Sequence, residues 1–303
     1  MIEIKNVKKS FGKFTVFENF SLTIDDGSIY GLVGYNGAGK TTLLKTIAGI
    51  YKPEEGEILL NSINSYDNGI ARKELFYIPD DMYFMSNASI KSMAKFYAGM
   101  YDNFDFKLLE NIVELFKLDI NAKIHGFSKG MKRQAEIALG LASRPKIMLL
   151  DEIFDGIDPQ KRDICRKLFT EYVAEYNCSI LMSSHNLEEL GNISDHIGLI
   201  NGKELVINCS IDDIPDENKK YYVEFKEPIS IDLISKISGI KQIKIENNNA
   251  SFMILGKDNL ILADEKLKEL GASDIKILPA TLEELFIATM EEKPYDIQKI
   301  FSK

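Results

Sequence analysis

The stretch Gly34-Tyr35-Asn36-Gly37-Ala38-Gly39-Lys40-Thr41, continued by Thr42, fits the pattern G-x-x-x-x-G-K-[ST]. Its chemistry is phosphate binding. Glycines let a loop wrap so closely that its N–H groups point inward at phosphate oxygens. A lysine at this spacing reaches the terminal phosphates as a point charge, and the hydroxyl after it can ligate Mg²⁺. The pattern carries weight only between a strand and a helix. Both are present, as the apolar run Ile29–Val33 before the loop and TTLLKTIAGI after it.

Three further groups offer chemistry. Ile147-Met-Leu-Leu150 is a short apolar run ending in two carboxylates, Asp151 and Glu152. A buried parallel strand delivers its C-terminal residues where open α/β sheets bind ligands. There Asp151 can hold Mg²⁺, and Glu152 can take a proton from an attacking water. A second apolar run, Ser179–Ser184, delivers His185, which can touch a terminal phosphate or orient a water. Phe127-Ser128-Lys129-Gly130-Met131 opens a helix running to about Ala142, and a Ser, a Gly and free N–H groups at a helix start form a second anion site. One phosphate already has a full cradle in residues 34–41. A second cradle on the same chain points to a site completed by another subunit.

The elements that must position these groups can be read coarsely. Residues 2–25 alternate and break like antiparallel strands, and Gly56–Leu60 is another short strand. The apolar periodicity of residues 88–120 predicts helix, and a helix is expected around 160–176. Asn201-Gly202 between two apolar runs marks a hairpin over 197–207. Composition shifts near residue 208. The polar run 212–220 reads as part of a linker, followed by strand-like runs at YYVEF and IKQIKIE, a helix over 261–270 and a final helix over 281–292.

The chain has 303 residues, room for about two domains. Hydrophobic residues at 45% and charged residues at 27% fit a globular protein and exclude intrinsic disorder. A net charge of −9 disfavours nucleic acid as a partner, because phosphate backbones need a Lys/Arg surplus. Cys165, Cys178 and Cys209 are scattered, which excludes a disulfide scaffold and suits a reducing compartment. No window approaches the apolar length of a membrane span.

The order of these motifs resembles the ATP-binding subunit of an ABC transporter. Residues 34–41 match the family's Walker A loop, Ile147–Glu152 match Walker B with its catalytic glutamate, and His185 matches the switch histidine. Phe11 stands where the family stacks an aromatic on adenine. Phe127–Met131 stands for the signature, usually LSGGQ, and Phe154–Pro159, with Asp158, for the D-loop. Three departures are visible. Lys129 replaces a signature glycine and Met131 its glutamine; Ile153 follows Glu152 where many members have Pro; Asp80 stands where a Q-loop glutamine is usual. Asp80, with Thr41 and Asp151, is thus a candidate Mg²⁺ ligand. The stretch Leu278–Ala288 is similar to the C-terminal motif of drug- and bacitracin-type exporter ATPases.

The resemblance implies an α/β fold, a P-loop ATPase with a mostly parallel core sheet, an antiparallel β subdomain and a helical signature subdomain, plus a small C-terminal α+β appendage. The expected boundaries are 1–207 for the ATPase domain (helical part about 88–142), 208–220 for the linker and 221–303 for the appendage. It implies ATP and Mg²⁺ as cofactors, a separate transmembrane permease, and a head-to-tail dimer with itself or a paralogous ATPase subunit. The expected place is the cytoplasm, peripheral on the inner face of the cell membrane. A soluble ABC ATPase acting on ribosome or chromosome is disfavoured by the single set of motifs and the short stretch before Ser128. A regulatory ATP-binding module with little turnover is opposed by intact Lys40, Asp151, Glu152 and His185.

Overall fold

Short apolar runs bounded by turn residues become strands buried on both faces. In the computed structural model, which describes residues 1–289, the chain divides into two compact units, Met1–Asn208 and Cys209–Lys303. The first unit opens with β1 (Ile2–Phe11) and β2 (Phe14–Ile24), then β3 (Ile29–Val33), the glycine-rich loop and α1 (Lys40–Ile47). There follow β4 (Glu55–Leu60), β5 (Ile63–Asn64), α2 (Gly69–Lys73) and β6 (Leu75–Ile78). Next come α3 (Ile90–Ala98), α4 (Phe106–Phe116), a 3₁₀ turn (Ile124–Gly126) and α5 (Lys129–Ala142). The unit closes with β7 (Ile147–Asp151), α6 (Pro159–Tyr176), β8 (Ser179–Ser184), α7 (Leu187–Gly191), β9 (His196–Asn201) and β10 (Glu204–Ser210).

Two sheets share this unit. An antiparallel one runs β2-β1-β4-β5, and a six-stranded one runs β10-β9-β3-β8-β7-β6. In the second, β9, β3, β8, β7 and β6 pair in parallel, with Val33 opposite Ser184, Asp151 opposite Ser183 and Ile78 opposite Leu150. That register brings the carboxyl ends of β3, β6, β7 and β8 to one edge, where an open α/β sheet meets its ligand. Leu43, Leu44 and Ile47 of α1 join Ile2, Phe17, Leu32 and Leu149 in one fully buried core. The mostly parallel core, antiparallel layer and helical segment match the fold class expected from the sequence.

The helical segment expected over 88–120 is two helices, α3 and α4. Ser89 and Ser92 form a reciprocal capping box at the start of α3, and the helix ends at Gly99. Asp105 then caps α4, which stops at Lys117 in a left-handed conformation, φ 57°.

In the second unit, α8 (Ile214–Glu217), β11 (Asn218–Phe225), α9 (Ile231–Ile234), β12 (Ile240–Glu246), β13 (Asn249–Leu255), α10 (Lys257–Glu269), β14 (Ala272–Pro279) and α11 (Leu282–Thr289) follow in order. The sheet is antiparallel, β12-β13-β11-β14, over a core that includes Tyr221, Phe225, Phe252, Ala263 and Leu267. The polar stretch expected as a linker, 208–220, instead carries the end of β10, all of α8 and the start of β11. Its polarity misled because Asn218 is buried and spends its side chain on structure, donating to Ile214 O and accepting from Gly256 N–H. The last residues of the helix expected over 281–292 lie outside the described residues. Among the described residues no helix is long and apolar enough to cross a membrane.

Candidate active site

Two glycines of the phosphate loop, Gly39 and Gly34, sit where a side chain would crowd its neighbours. At Gly39, φ 102°, a Cβ would lie 2.6 Å from Val16 Cγ1 and 2.7 Å from Phe17 Cζ. At Gly34 it would lie 3.0 Å from Ile200 O. The loop therefore folds directly onto β2 and β9, and the Ala38 N–H closes a turn on Tyr35 O at 3.0 Å. Gly39 leads into α1, and no side chain caps that helix. Its first-turn N–H groups and positive dipole end are left facing the loop, with Thr41 and Thr42 in that turn.

Lys40 is buried, and its Nζ donates to Gly34 O at 2.6 Å and to Tyr35 O at 3.4 Å. It also pairs with Glu152 Oε1 at 3.4 Å. The other carboxylate oxygen, Oε2, lies 2.9 Å from His185 Nδ1. Glu152 thus sits between a lysine of the loop and a histidine from the end of β8. Its backbone holds it there. Glu152 is left-handed, φ 46°, and its N–H donates to Ser183 O at 3.2 Å and Ser183 Oγ at 3.1 Å.

Asp151 is fully buried and accepts from Ser183 Oγ at 2.6 Å and from Tyr77 OH at 3.5 Å. Burial together with that carboxylate pushes the Tyr77 hydroxyl well above its usual range, which keeps it a donor. Ser183 and Tyr77 were not singled out in the sequence. The visible signal for Ser183 is the Ser-Ser-His ending of an otherwise apolar buried strand. Asp155 was also passed over. Its carboxylate, with Glu152 and His185, places three ligand-type atoms within 4.8 Å of one another.

The second cradle is built differently. The Ser128 hydroxyl caps α5 by accepting the Met131 N–H at 3.2 Å. Lys129 is exposed, whereas Gly130 is buried against Gly156, whose carbonyl oxygen would lie 2.5 Å from a Cβ there. The signature turn and the backbone after Glu152 are consequently in direct contact. Asp158 is a helix cap, its Oδ1 accepting the Lys161 N–H at 3.0 Å. Phe11 is 46% exposed, edge-on to Tyr51 with ring centroids 5.3 Å apart and Lys9 Nζ 4.9 Å above it.

Asp80 is engaged by cations of α5. Its Oδ1 accepts from Arg133 at 3.0 Å and lies 3.9 Å from Lys129 Nζ. Two cations on α5, Arg133 and Lys129, thus share this carboxylate. Glu136, a turn further along α5, is buried with its Oε1 3.4 Å from Tyr97 OH. Burial pushes its carboxyl up to about 7.

A family model described as ABC transporter matches residues 17–155. The ABC transporter ATP-binding protein YtrB of Bacillus subtilis is 29% identical over 291 residues, covering 95% of this chain and 97% of that protein. The bacitracin transport ATP-binding protein BcrA of Enterococcus faecalis is 31% identical over 226 residues, 73% of each chain. This chain belongs to the ABC transporter ATP-binding family. A solved ATP-binding subunit of an ABC transporter superposes with a TM-score of 0.67 at 25% identity, over 71% of this chain and 92% of that one. As an ABC ATPase the chain binds nucleotide, and the carboxyl edge of its parallel sheet is where Lys40, Glu152 and His185 meet.

Proposed function

We propose that this ABC ATPase is the motor of an exporter and drives a separate transmembrane permease, working from the inner face of the membrane. The single observation that carries turnover is the double engagement of Glu152, by Lys40 on one oxygen and His185 on the other. ATP is bound with its phosphates on the loop N–H groups of 34–41 and the start of α1, and its adenine against Phe11. Lys40 then leaves its loop carbonyls for the terminal phosphates. Glu152 accepts a proton from a water whose oxygen attacks the γ-phosphorus. The bond from that phosphorus to the β–γ bridging oxygen breaks, and ADP leaves with the electron pair. His185 holds the water and the terminal phosphate in line. Thr41 and Asp151 offer a hydroxyl and a buried carboxylate, hard oxygen donors that suit Mg²⁺; the ion would neutralise charge on the phosphates.

The site is completed in trans. Ser128, Lys129, Gly130 and Met131 of one subunit face the nucleotide of another, in a head-to-tail dimer of this chain or of this chain with a paralogue. Likeness to bacitracin transport proteins over 73% of the chain supports export. The test is Glu152→Gln, which keeps the shape and removes the base. ATPase turnover should fall by about 10²–10⁴-fold, while ATP binding persists and gel filtration shows an ATP-stabilised dimer. Turnover at the parental rate would remove Glu152 from the mechanism.

A further inference from the structure

Two of the departures from the family pattern, Asp80 and Lys129, meet in space, and a third residue joins them. Arg133 is fully buried on α5, yet its guanidinium leaves the helix. Nη1 donates to Pro79 O at 2.6 Å, and Nη2 to Asp80 O at 3.1 Å and Asp80 Oδ1 at 3.0 Å. Lys129, four residues earlier and so on the same helical face, approaches the same carboxylate oxygen at 3.9 Å. A guanidinium cannot shed its proton, so a buried one needs an anion and acceptors held in place. The loop at 79–80 supplies both.

That loop continues β6 without a break, and β6 is paired residue by residue with β7, Ile78 opposite Leu150. Strand β7 ends in Asp151, and Glu152 follows it. A rigid path therefore runs from the carboxylates through β7 and β6 to Asp80, across to Arg133, and back along α5 to Ser128. On its other side the same turn rests on Gly156 through Gly130. The signature turn is held at two points, one reached through the β6–β7 pairing that ends at Leu150 and the other at Gly156, four residues after Glu152.

We infer that Asp80 and Arg133 form a positioning pair that sets the angle of the signature turn, so that Ser128 meets the partner subunit's nucleotide when Glu152 is in place. The inference rests on the composite-site reading above. The pair acts through Ser128 and touches no phosphate itself. It governs turnover and dimer closure, and leaves nucleotide binding to the single subunit alone.

Asp80→Asn is the first variant, because Asp80 is 45% exposed and the change preserves shape. Steady-state ATPase kinetics should show kcat lowered by about 10- to 100-fold, the usual cost of misplacing a catalytic contact, with single-subunit ATP affinity by calorimetry within about twofold. Asp80→Glu, which keeps the ion pair, should recover most of the rate. Arg133→Gln, checked for native circular dichroism, should lower kcat similarly. The double variant should be no slower than Arg133→Gln alone, because that change already removes the Asp80 carboxylate contact along with the bonds to Pro79 O and Asp80 O. Parental kcat in Asp80→Asn overturns the pair, as does full additivity in the double variant. A shifted Mg²⁺ midpoint in Asp80→Asn that Arg133→Gln does not reproduce also overturns it, since Asp80 would then serve the metal. Failure of the underlying reading shows elsewhere, in a parent that hydrolyses no ATP or whose Glu152→Gln variant is fully active.

Discussion

Two helices in this protein begin where a phosphate could sit, and they begin in opposite ways. Helix α1 starts from a left-handed glycine with no side-chain cap, so its first N–H groups are left for a ligand. Helix α5 starts from Ser128, whose own hydroxyl already accepts the Met131 N–H. The first terminus is complementary to an anion before anything arrives; the second has already committed one of its free N–H groups to its own cap. A lysine buried at the first residue of α1 adds a full charge to that difference. The contrast predicts unequal labour. Binding resides in α1 and its loop, whereas α5 contributes when a partner brings a nucleotide to it.

The sharpest way to break this contrast is to damage each helix start separately. Lys40→Ala should remove ATPase activity by at least about 10²–10³-fold, the scale seen when one charge-stabilising donor is lost, and should weaken ATP binding too. Ser128→Arg should lose activity on a comparable scale and leave single-subunit binding intact, measured by calorimetry. Mixing the two proteins assembles one site from an intact Lys40 and an intact Ser128. Activity should return in the mixture. If it does not, the second helix start serves no partner.

A smaller effect is expected at the base end of the first cradle. Phe11→Ala should weaken ATP binding by about 5- to 150-fold, the range of a lost aromatic stack of about 1–3 kcal/mol. The rate per bound ATP should stay near parental. Equal affinity in calorimetry on both proteins would place adenine elsewhere.

The smallest effect concerns what lies beneath each helix. Residues buried on α1 beyond Lys40 are Leu43, Leu44, Thr46 and Ile47, whereas α5 buries Arg133 and Glu136. Burial raises the Glu136 carboxyl from 4.5 to about 7. The folded state therefore holds this proton where the unfolded chain has released it, and stability falls as pH rises from about 4.5 to about 7. Glu136→Gln has no such proton. Its melting temperature relative to the parent should rise over that window and level off above it, with a ceiling of about 3 kcal/mol from the size of the shift. A difference that does not vary between pH 5 and pH 8 would show Glu136 reaching solvent.

Much of this site was legible because local chemistry forces local sequence. Gly34, Gly39 and Lys40 are dictated by a loop that must wrap an anion, and Asp151 and Glu152 by a strand that must end at it. What stayed hidden depends on tertiary neighbours. Nothing in Pro79-Asp80 announces that Arg133, more than fifty positions later, will reach it. Asp80 read as a metal ligand because the motif aligned it with one, and the ion pair is visible only once α5 lies against the end of β6. Ser183 and Tyr77 were obscured by their ordinary residue types. In the second unit, Asn218 looked like linker because polarity was counted and the hydrogen bonds it would make could not be.

The backbone at Glu152 bears on how such a protein can evolve. Glu152 occupies left-handed backbone, φ 46°, a region that costs a side-chain-bearing residue roughly 1–2 kcal/mol and glycine almost nothing. Selection for stability and selection for turnover therefore pull this one position in opposite directions. A descendant that kept nucleotide binding but gave up hydrolysis would drift here towards Gly or Asn and gain stability by it. The identity of residue 152 is in that sense a record of which demand the lineage has continued to meet.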